Sequence, residues 1–194
     1  MVDLTIEDQY GELIIAGVDE AGRGPWSGPV VAAAVIIDRK NIIAGINDSK
    51  KIAKKKREAL FQQITTNYLW SVGIVEADEI DRINILEATK KACQIAVNSI
   101  STRADIVIVD GNMKFDDQRY NSIIKGDAKS LSIAAASIIA KVTRDRIMDK
   151  LSAEHPEYKW EKNSGYGTKD HLAAIIKYGL TKHHRKSFKI TGAG

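Results

Sequence analysis

The sequence predicts an α/β fold in which one sheet is covered by helices, and three observations predict it. Five short apolar stretches have the length and β-branched content of strands. Between and after them the apolar spacing changes to that of helical faces. Proline and glycine cluster only around residues 22–29, so no linker divides the 194 residues, and one domain over 1–194 is expected.

Residues 13–18 and 30–37 are the first two strands, rich in Val and Ile. Residues 49–68 follow as a helix, with Ala53, Leu60, Ile64 and Tyr68 on one face, Ser49 as its N-cap and a basic opposite face. The third strand is 70–75. A second helix starts at Asn84, where Asn84 and Glu87 form a capping pair and Leu86, Cys93, Val97 and Ile100 make the apolar face. Residues 106–109 and 120–124 are the fourth and fifth strands, the last the weakest. The alanine-rich stretch 132–151, apolar at Ile138, Val142 and Met148, is a helix whose small side chains let it lie close to a sheet. Another helix follows Thr168, and the segment from about 155 to 194 is expected to be helical.

Composition narrows the function classes. No run of eighteen apolar residues is present, and residues 1–10 carry acids rather than an export signal, so a cytoplasmic protein without a membrane span is expected. The lone Cys93 lies among Ala92, Ile95 and Ala96 and reads as a small buried thiol. A net charge of +4 and a pI near 9.0 suit a polyanionic partner without requiring one.

The chemistry is concentrated where apolar runs stop at acids. Gly17-Val18-Asp19-Glu20-Ala21-Gly22-Arg23-Gly24-Pro25 takes a strand into two acids and a glycine turn. Neighbouring strand side chains point to opposite faces, so Asp19 and Glu20 share a site only if the strand ends there or Glu20 uses its backbone carbonyl. Asp110 ends the fourth apolar run and Asp127 follows the fifth. Each alone is an ordinary surface turn. If the strands lie side by side, however, all four acids meet at one sheet edge, and that much negative charge implies a hard divalent cation. Gly22 and Gly24 let backbone amides approach a phosphate or a sugar hydroxyl, and Arg23 adds positive charge there.

Seven segments together resemble the ribonuclease HII family: Asp19 to Pro25 as above, Gly28-Pro29-Val30-Val31, Asn47-Asp48-Ser49-Lys50-Lys51, Val109-Asp110-Gly111-Asn112, Lys125-Gly126-Asp127, Gly165-Tyr166-Gly167-Thr168 and His183-His184-Arg185-Lys186-Ser187-Phe188. The alanine-rich run up to Asp145 matches as well. The resemblance implies a ribonuclease H-like fold, a five-stranded mixed sheet flanked by helices. It implies that Asp19, Glu20, Asp110 and Asp127 bind Mg2+ or Mn2+ and carry catalysis by a two-metal mechanism. The implied activity is endonucleolytic hydrolysis of RNA in RNA/DNA hybrids and cleavage 5′ of single ribonucleotides in duplex DNA, leaving 3′-hydroxyl and 5′-phosphate. The implied role is removal of misincorporated ribonucleotides and RNA primers. Gly22, Arg23, Gly24 and Tyr166 are implied readers of the 2′-hydroxyl, the group that distinguishes RNA from DNA. Ser49 and Lys50 are implied substrate contacts, while the lysines after them read as a solvated helix face. The cluster from His183 to Lys186, where a metal site is possible in principle, reads rather as phosphate-contacting or solvated, and Asp145 as a helix-surface partner of Lys141. Trp26 packs on the core or borders the duplex. A monomer is expected, and a sliding-clamp partner stays open because no clamp-binding motif is recognised after Phe188.

Overall fold

The computed structural model describes residues 2–190. Its sheet contains β1 (Ile15–Ala21), β2 (Val30–Ile36), β3 (Leu69–Val75), β4 (Ile106–Asp110) and β5 (Tyr120–Ile123) in the order β3-β2-β1-β4-β5. β3, β2 and β1 pair antiparallel, whereas β1, β4 and β5 run parallel, so the sheet is mixed as expected. The helices are α1 (Thr5–Asp8), α2 (Lys54–Asn67), α3 (Ala77–Ile83), α4 (Ile85–Ser99), α5 (Leu131–Glu154), α6 (Trp160–Asn163) and α7 (Lys169–Tyr178).

α5 covers one face of the sheet over β1 and β2, and α4 covers the other over β2 and β3. Both approach the sheet at glycine. A Cβ at Gly17 would run into the Ser132 backbone, and one at Gly73 would run into the carbonyl of Ala92. The first half of α5 is buried on every side, from Ile133 through Ala140, which explains its lack of a polar face. Its N-terminus is fastened by the Ser130 hydroxyl, which accepts from the Ile133 amide at 3.2 Å, and by the buried Glu7. One oxygen of Glu7 accepts from the Ser130 and Ser132 hydroxyls and the Ser132 amide at 2.6–2.9 Å. A carboxylate there also complements the positive end of the helix.

One expectation is corrected. Ser49 does not cap a helix running from 49 to 68. Its amide is drawn onto the Ser137 hydroxyl of α5, residues Ser49–Lys51 form a separate 3-10 turn capped by Asp48, and α2 begins only at Lys54. The short α3 was not foreseen. The C-terminal segment carries helix as expected, in α6 and α7; α7 ends at Tyr178, Gly179 takes φ +83°, and residues 179–190 fold back as turns over the loop after β1. The last residues of the expected 155–194 segment, 191–194, lie outside the described residues. Asn84 does cap α4, accepting from the amides of Leu86 and Glu87, although Glu87 turns to Lys90 instead of closing a reciprocal pair.

Candidate active site

Strand register brings the acids together. The parallel pairing of β1 with β4 ends at Val18↔Val109, so Asp19 and Asp110 are the next residues on adjacent strands. Ile15 and Ile108 pack toward α5 with Ile133, and the period of two places Asp19 and Asp110 on that same face. Asp127 arrives from beyond β5, through Lys125 at φ +57° and the 3-10 turn Gly126–Ala128. Asp110 Oδ1 accepts from the amides of Gly126 (2.7 Å) and Asp127 (3.4 Å), which fixes that turn against β4. One oxygen each from Asp19, Asp110 and Asp127 lies within 4.8 Å of the others.

Glu20 behaves differently. β1 continues past it, paired with β2 through Ala21↔Val31, so its side chain leaves the opposite face from Asp19. Its Oε1 lies 3.6 Å from Arg23 Nη1, and its Oε2 is buried without a hydrogen-bond partner. Three of the four expected carboxylates therefore share one point, and the fourth borders the same cavity.

The charges of this group are only partly compensated. Burial, and then the negative charges of Glu20 and Asp110, push the Asp19 carboxyl well above the usual carboxylate range. Burial raises Glu20 as well, opposed by Arg23, and raises Asp127 together with Asp110 and Asp48. Burial disfavours the Lys50 ammonium, but Asp19, Asp48, Asp127 and Asp110 around it outweigh that and hold its pKa up. An all-oxygen donor set under mutual repulsion, with an orphaned buried carboxylate oxygen beside it, fits a hard divalent cation.

Beside the acids lies a cavity of about 330 Å³ lined by Asp19, Glu20, Ala21, Gly22, Arg23, Gly24, Ser49, Lys50, Lys141, Arg144 and Tyr166. Every residue expected to contact substrate is in that lining. The half-exposed Tyr166 ring stands against Gly24, where a Cβ would lie 3.4 Å from its Cε1. Trp26 packs inward, under Gly167 and against the His171 ring at 5.7 Å.

Sequence reasoning missed what holds the glycine turn. Arg144, from α5, donates to the carbonyls of Pro29 (3.0 Å), Ser164 (3.0 Å) and Ser27 (3.1 Å). Arg185 donates to those of Gly22 (2.6 Å), Arg23 (3.0 Å), Pro25 (2.9 Å) and Gly28 (2.8 and 3.0 Å). Both side chains are fully buried, and burial lowers their pKa to about 10 and about 9. Gly22, at φ +99°, leaves the space that Arg144 fills, since a Cβ there would collide with the guanidinium. The expected solvated or phosphate-contacting role is thus corrected for Arg185 and for the buried His184, because the chain needs both inside to anchor the turn. Asp145 pairs with Lys141 at 2.6 Å, as expected, and also lies 3.8 Å from Arg57.

A model of the ribonuclease HII family matches residues 16–191. The chain belongs to the ribonuclease HII family. Ribonuclease HII of Rickettsia bellii (strain OSU 85-389) is 65% identical over 185 residues, covering 95% of this chain and 94% of that protein. Ribonuclease HII of Rickettsia akari (strain Hartford) is 65% identical over 186 residues, 96% of each chain. Among solved structures, ribonuclease H2 from Pyrococcus horikoshii OT3 has a TM-score of 0.75 at 32% identity, covering 91% of this chain and 94% of its own. Ribonuclease HII of Archaeoglobus fulgidus, solved in complex with PCNA, has a TM-score of 0.75 at 26% identity, covering 94% and 98%. A Bst-RNase HIII in complex with Mn2+ shares the fold at 20% identity, with a TM-score of 0.72 and coverage of 95% and 70%. As a ribonuclease HII the chain is an endonuclease, a type 2 ribonuclease H acting on RNA/DNA hybrids, and its acidic cluster suits the metal dependence of that family. Among the described residues no helix is long and apolar enough to cross a membrane.

Proposed function

We propose that the chain also cleaves on the 5′ side of single ribonucleotides embedded in duplex DNA, leaving a 3′-hydroxyl and a 5′-phosphate. Its role is then the removal of misincorporated ribonucleotides and RNA primers. The observation that carries this reading is the meeting of Asp19, Asp110 and Asp127 beside a cavity walled by the glycine turn and Tyr166. Asp19, Asp110 and Asp127 would hold Mg2+ or Mn2+, with Glu20 bordering the same cavity and offering its backbone carbonyl. When bound, two such ions supply Lewis-acid charge for in-line hydrolysis of the phosphodiester.

The chain's own residues do the positioning. The turn from Gly22 to Gly24 presents backbone N–H groups without a side chain in the way, and Tyr166 closes the opposite wall, so a ribose is held with its 2′-hydroxyl between them. A deoxyribose leaves those donors unpaired, which is what separates the two sugars energetically. Lys50 and Arg23 supply charge to the scissile and flanking phosphates, and the buried Ser49 sets the direction of Lys50 through its bond to Ser137.

The test is cleavage of duplexes with one, several or no ribonucleotides, with and without Mg2+. Asp110→Asn should cut about a hundred- to a thousandfold more slowly, the range for removing a group that acts on transition-state charge, while still folding and binding the duplex. Undiminished cutting by that variant would refute the assignment, and Mg2+-independent binding with no cleavage by the wild type would make this a duplex-binding protein only.

A further inference from the structure

A second group of donors lies outside the acidic cluster. α5 ends at Glu154, His155 follows with φ −134° and ψ 65°, and His183 comes from the turn that closes over the site loop. One donor atom from each of the three lies within 4.8 Å of the others. The nearby pair His171 and His184 is already satisfied. His171 Nε2 accepts from Trp160 Nε1 at 3.1 Å and meets His184 Nε2 at 3.1 Å, and His184 Nδ1 accepts from the Thr181 amide at 2.9 Å. His171 Nδ1 is then left to donate to the Tyr166 carbonyl at 2.9 Å. That network assigns both tautomers and leaves no lone pair over.

His183 is the opposite case. Its backbone amide is held by the Thr181 hydroxyl and its carbonyl by the Gly28 amide, yet its ring Nε2 is buried and makes no hydrogen bond. Burial, and then the charge of Lys182, keep this imidazole toward its neutral form, the form with a free lone pair. An imidazole with a bare, buried ring nitrogen, grouped with a second imidazole and a carboxylate, is what a ligand set presents before its ion arrives. Glu157 Oε1 stands 3.7 Å from His155 Nδ1, the position of the carboxylate that orients many metal-bound histidines.

We propose that Glu154, His155 and His183 form a second metal site, for a borderline transition ion of the Zn2+ type. Two imidazoles and one carboxylate with an open fourth position suit Zn2+, Co2+ or Ni2+, whereas Mg2+ prefers an octahedron of oxygens. Bonds of about 2.0–2.2 Å require the three donors to draw closer together, and the exposed Glu154 can make most of that movement. The ion's effect follows from where the ligands sit. It ties the end of α5 to the turn two residues before Arg185, the side chain that holds the carbonyls from Gly22 to Gly28.

The experiment uses the full chain, stripped with chelator and returned to millimolar Mg2+, titrated with Zn2+ by calorimetry and with Co2+ by visible absorption. One equivalent should bind in the wild type and in Asp110→Asn alike, with the d–d spectrum of a four-coordinate nitrogen/oxygen site. Affinity should fall at least about 10-fold in Glu154→Gln, altered at the surface, and in His155→Gln, altered at a half-buried position, both expected to fold. At a hundredfold excess over the wild-type Kd, Zn2+ should raise the wild-type Tm by about 5–10 °C and that of Glu154→Gln by no more than about half as much. Unchanged affinity in both variants, loss of binding in Asp110→Asn, or absence of binding below millimolar Zn2+ would each overturn the proposal.

Discussion

Replacing Asp19 with Asn should stabilise the metal-free protein while stopping cleavage. Oxygens of Asp19, Asp110 and Asp127 lie within 4.8 Å of one another, and two unit charges at that separation repel by about 3.5 kcal/mol at an effective dielectric near 20. Asp19 takes part in two such pairs, so full ionisation would place about 7 kcal/mol of repulsion on it. Lys50 and proton uptake by Asp19 relieve much of this, leaving an expected gain for the variant of about 2 kcal/mol, or about 4–8 °C in Tm for a chain of this size. Asn keeps an oxygen to accept from the Glu20 amide, now at 2.7 Å, so the local backbone is preserved. The pH dependence has a definite sign. A carboxyl whose folded pKa lies above its unfolded value destabilises the fold progressively as pH rises between the two, and the loss is constant above the folded pKa. The gap between variant and wild type should therefore be small near pH 4 and widen toward pH 9. The assay is thermal unfolding in EDTA across that range, repeated with Mg2+, which should rescue the wild type more than the variant. A variant that melts at or below the wild type throughout would refute the claim that Asp19 is held in repulsion for a cation.

Two further substitutions test the cavity wall and its support. Tyr166→Ala should slow single-ribonucleotide cleavage at least about 10-fold with little change in Tm, because the ring is half exposed and stands over Gly24; steady-state kinetics with an unchanged rate would remove Tyr166 from the site. Arg185→Lys keeps a positive charge but loses the fork that serves four carbonyls, two of them deeply buried, and at about 1–3 kcal/mol per stranded group the loss should be about 3 kcal/mol. A fall of about 6–12 °C in Tm together with a raised KM is expected, and a Tm within error of the wild type would show that the turn is held by something else.

Four of the strands were legible because each contains a clear apolar run, and in two of them that run stops at an acid, Asp19 in β1 and Asp110 in β4. Once Val18 and Val109 are read as last residues of parallel neighbours, Asp19 and Asp110 fall side by side. The period of two also warned that Glu20 would leave the other face, and it does. The split between Ser49–Lys51 and α2 was not legible, because its cause is a hydroxyl on Ser137, 88 residues away. α3 was hidden by its brevity and its two buried apolar side chains, too few to show a period. Arg144 and Arg185 were invisible for a more general reason. Their partners are backbone carbonyls, which every residue has, so no complementary acid marks them in the sequence. The available hint was position: Arg144 lies between Val142 and Met148 on a helix otherwise read as buried.

That choice of partner bears on the chemistry. Had Arg144 and Arg185 been neutralised by carboxylates, further negative charge would stand next to Asp19 and Glu20, raising the repulsion that a bound cation must overcome. Carbonyls take the same N–H groups without adding a charge, and even with pKa values lowered to about 10 and about 9 both guanidinium groups stay positive at neutral pH. The turn from Gly22 to Gly28 is therefore fixed from behind by two net positive charges, while Gly22, Arg23 and Gly24 line the cavity. A polyanion approaching that side meets a backbone already in position, and discrimination by a single hydroxyl depends on such pre-arrangement, because a turn free to yield would close on deoxyribose almost as well.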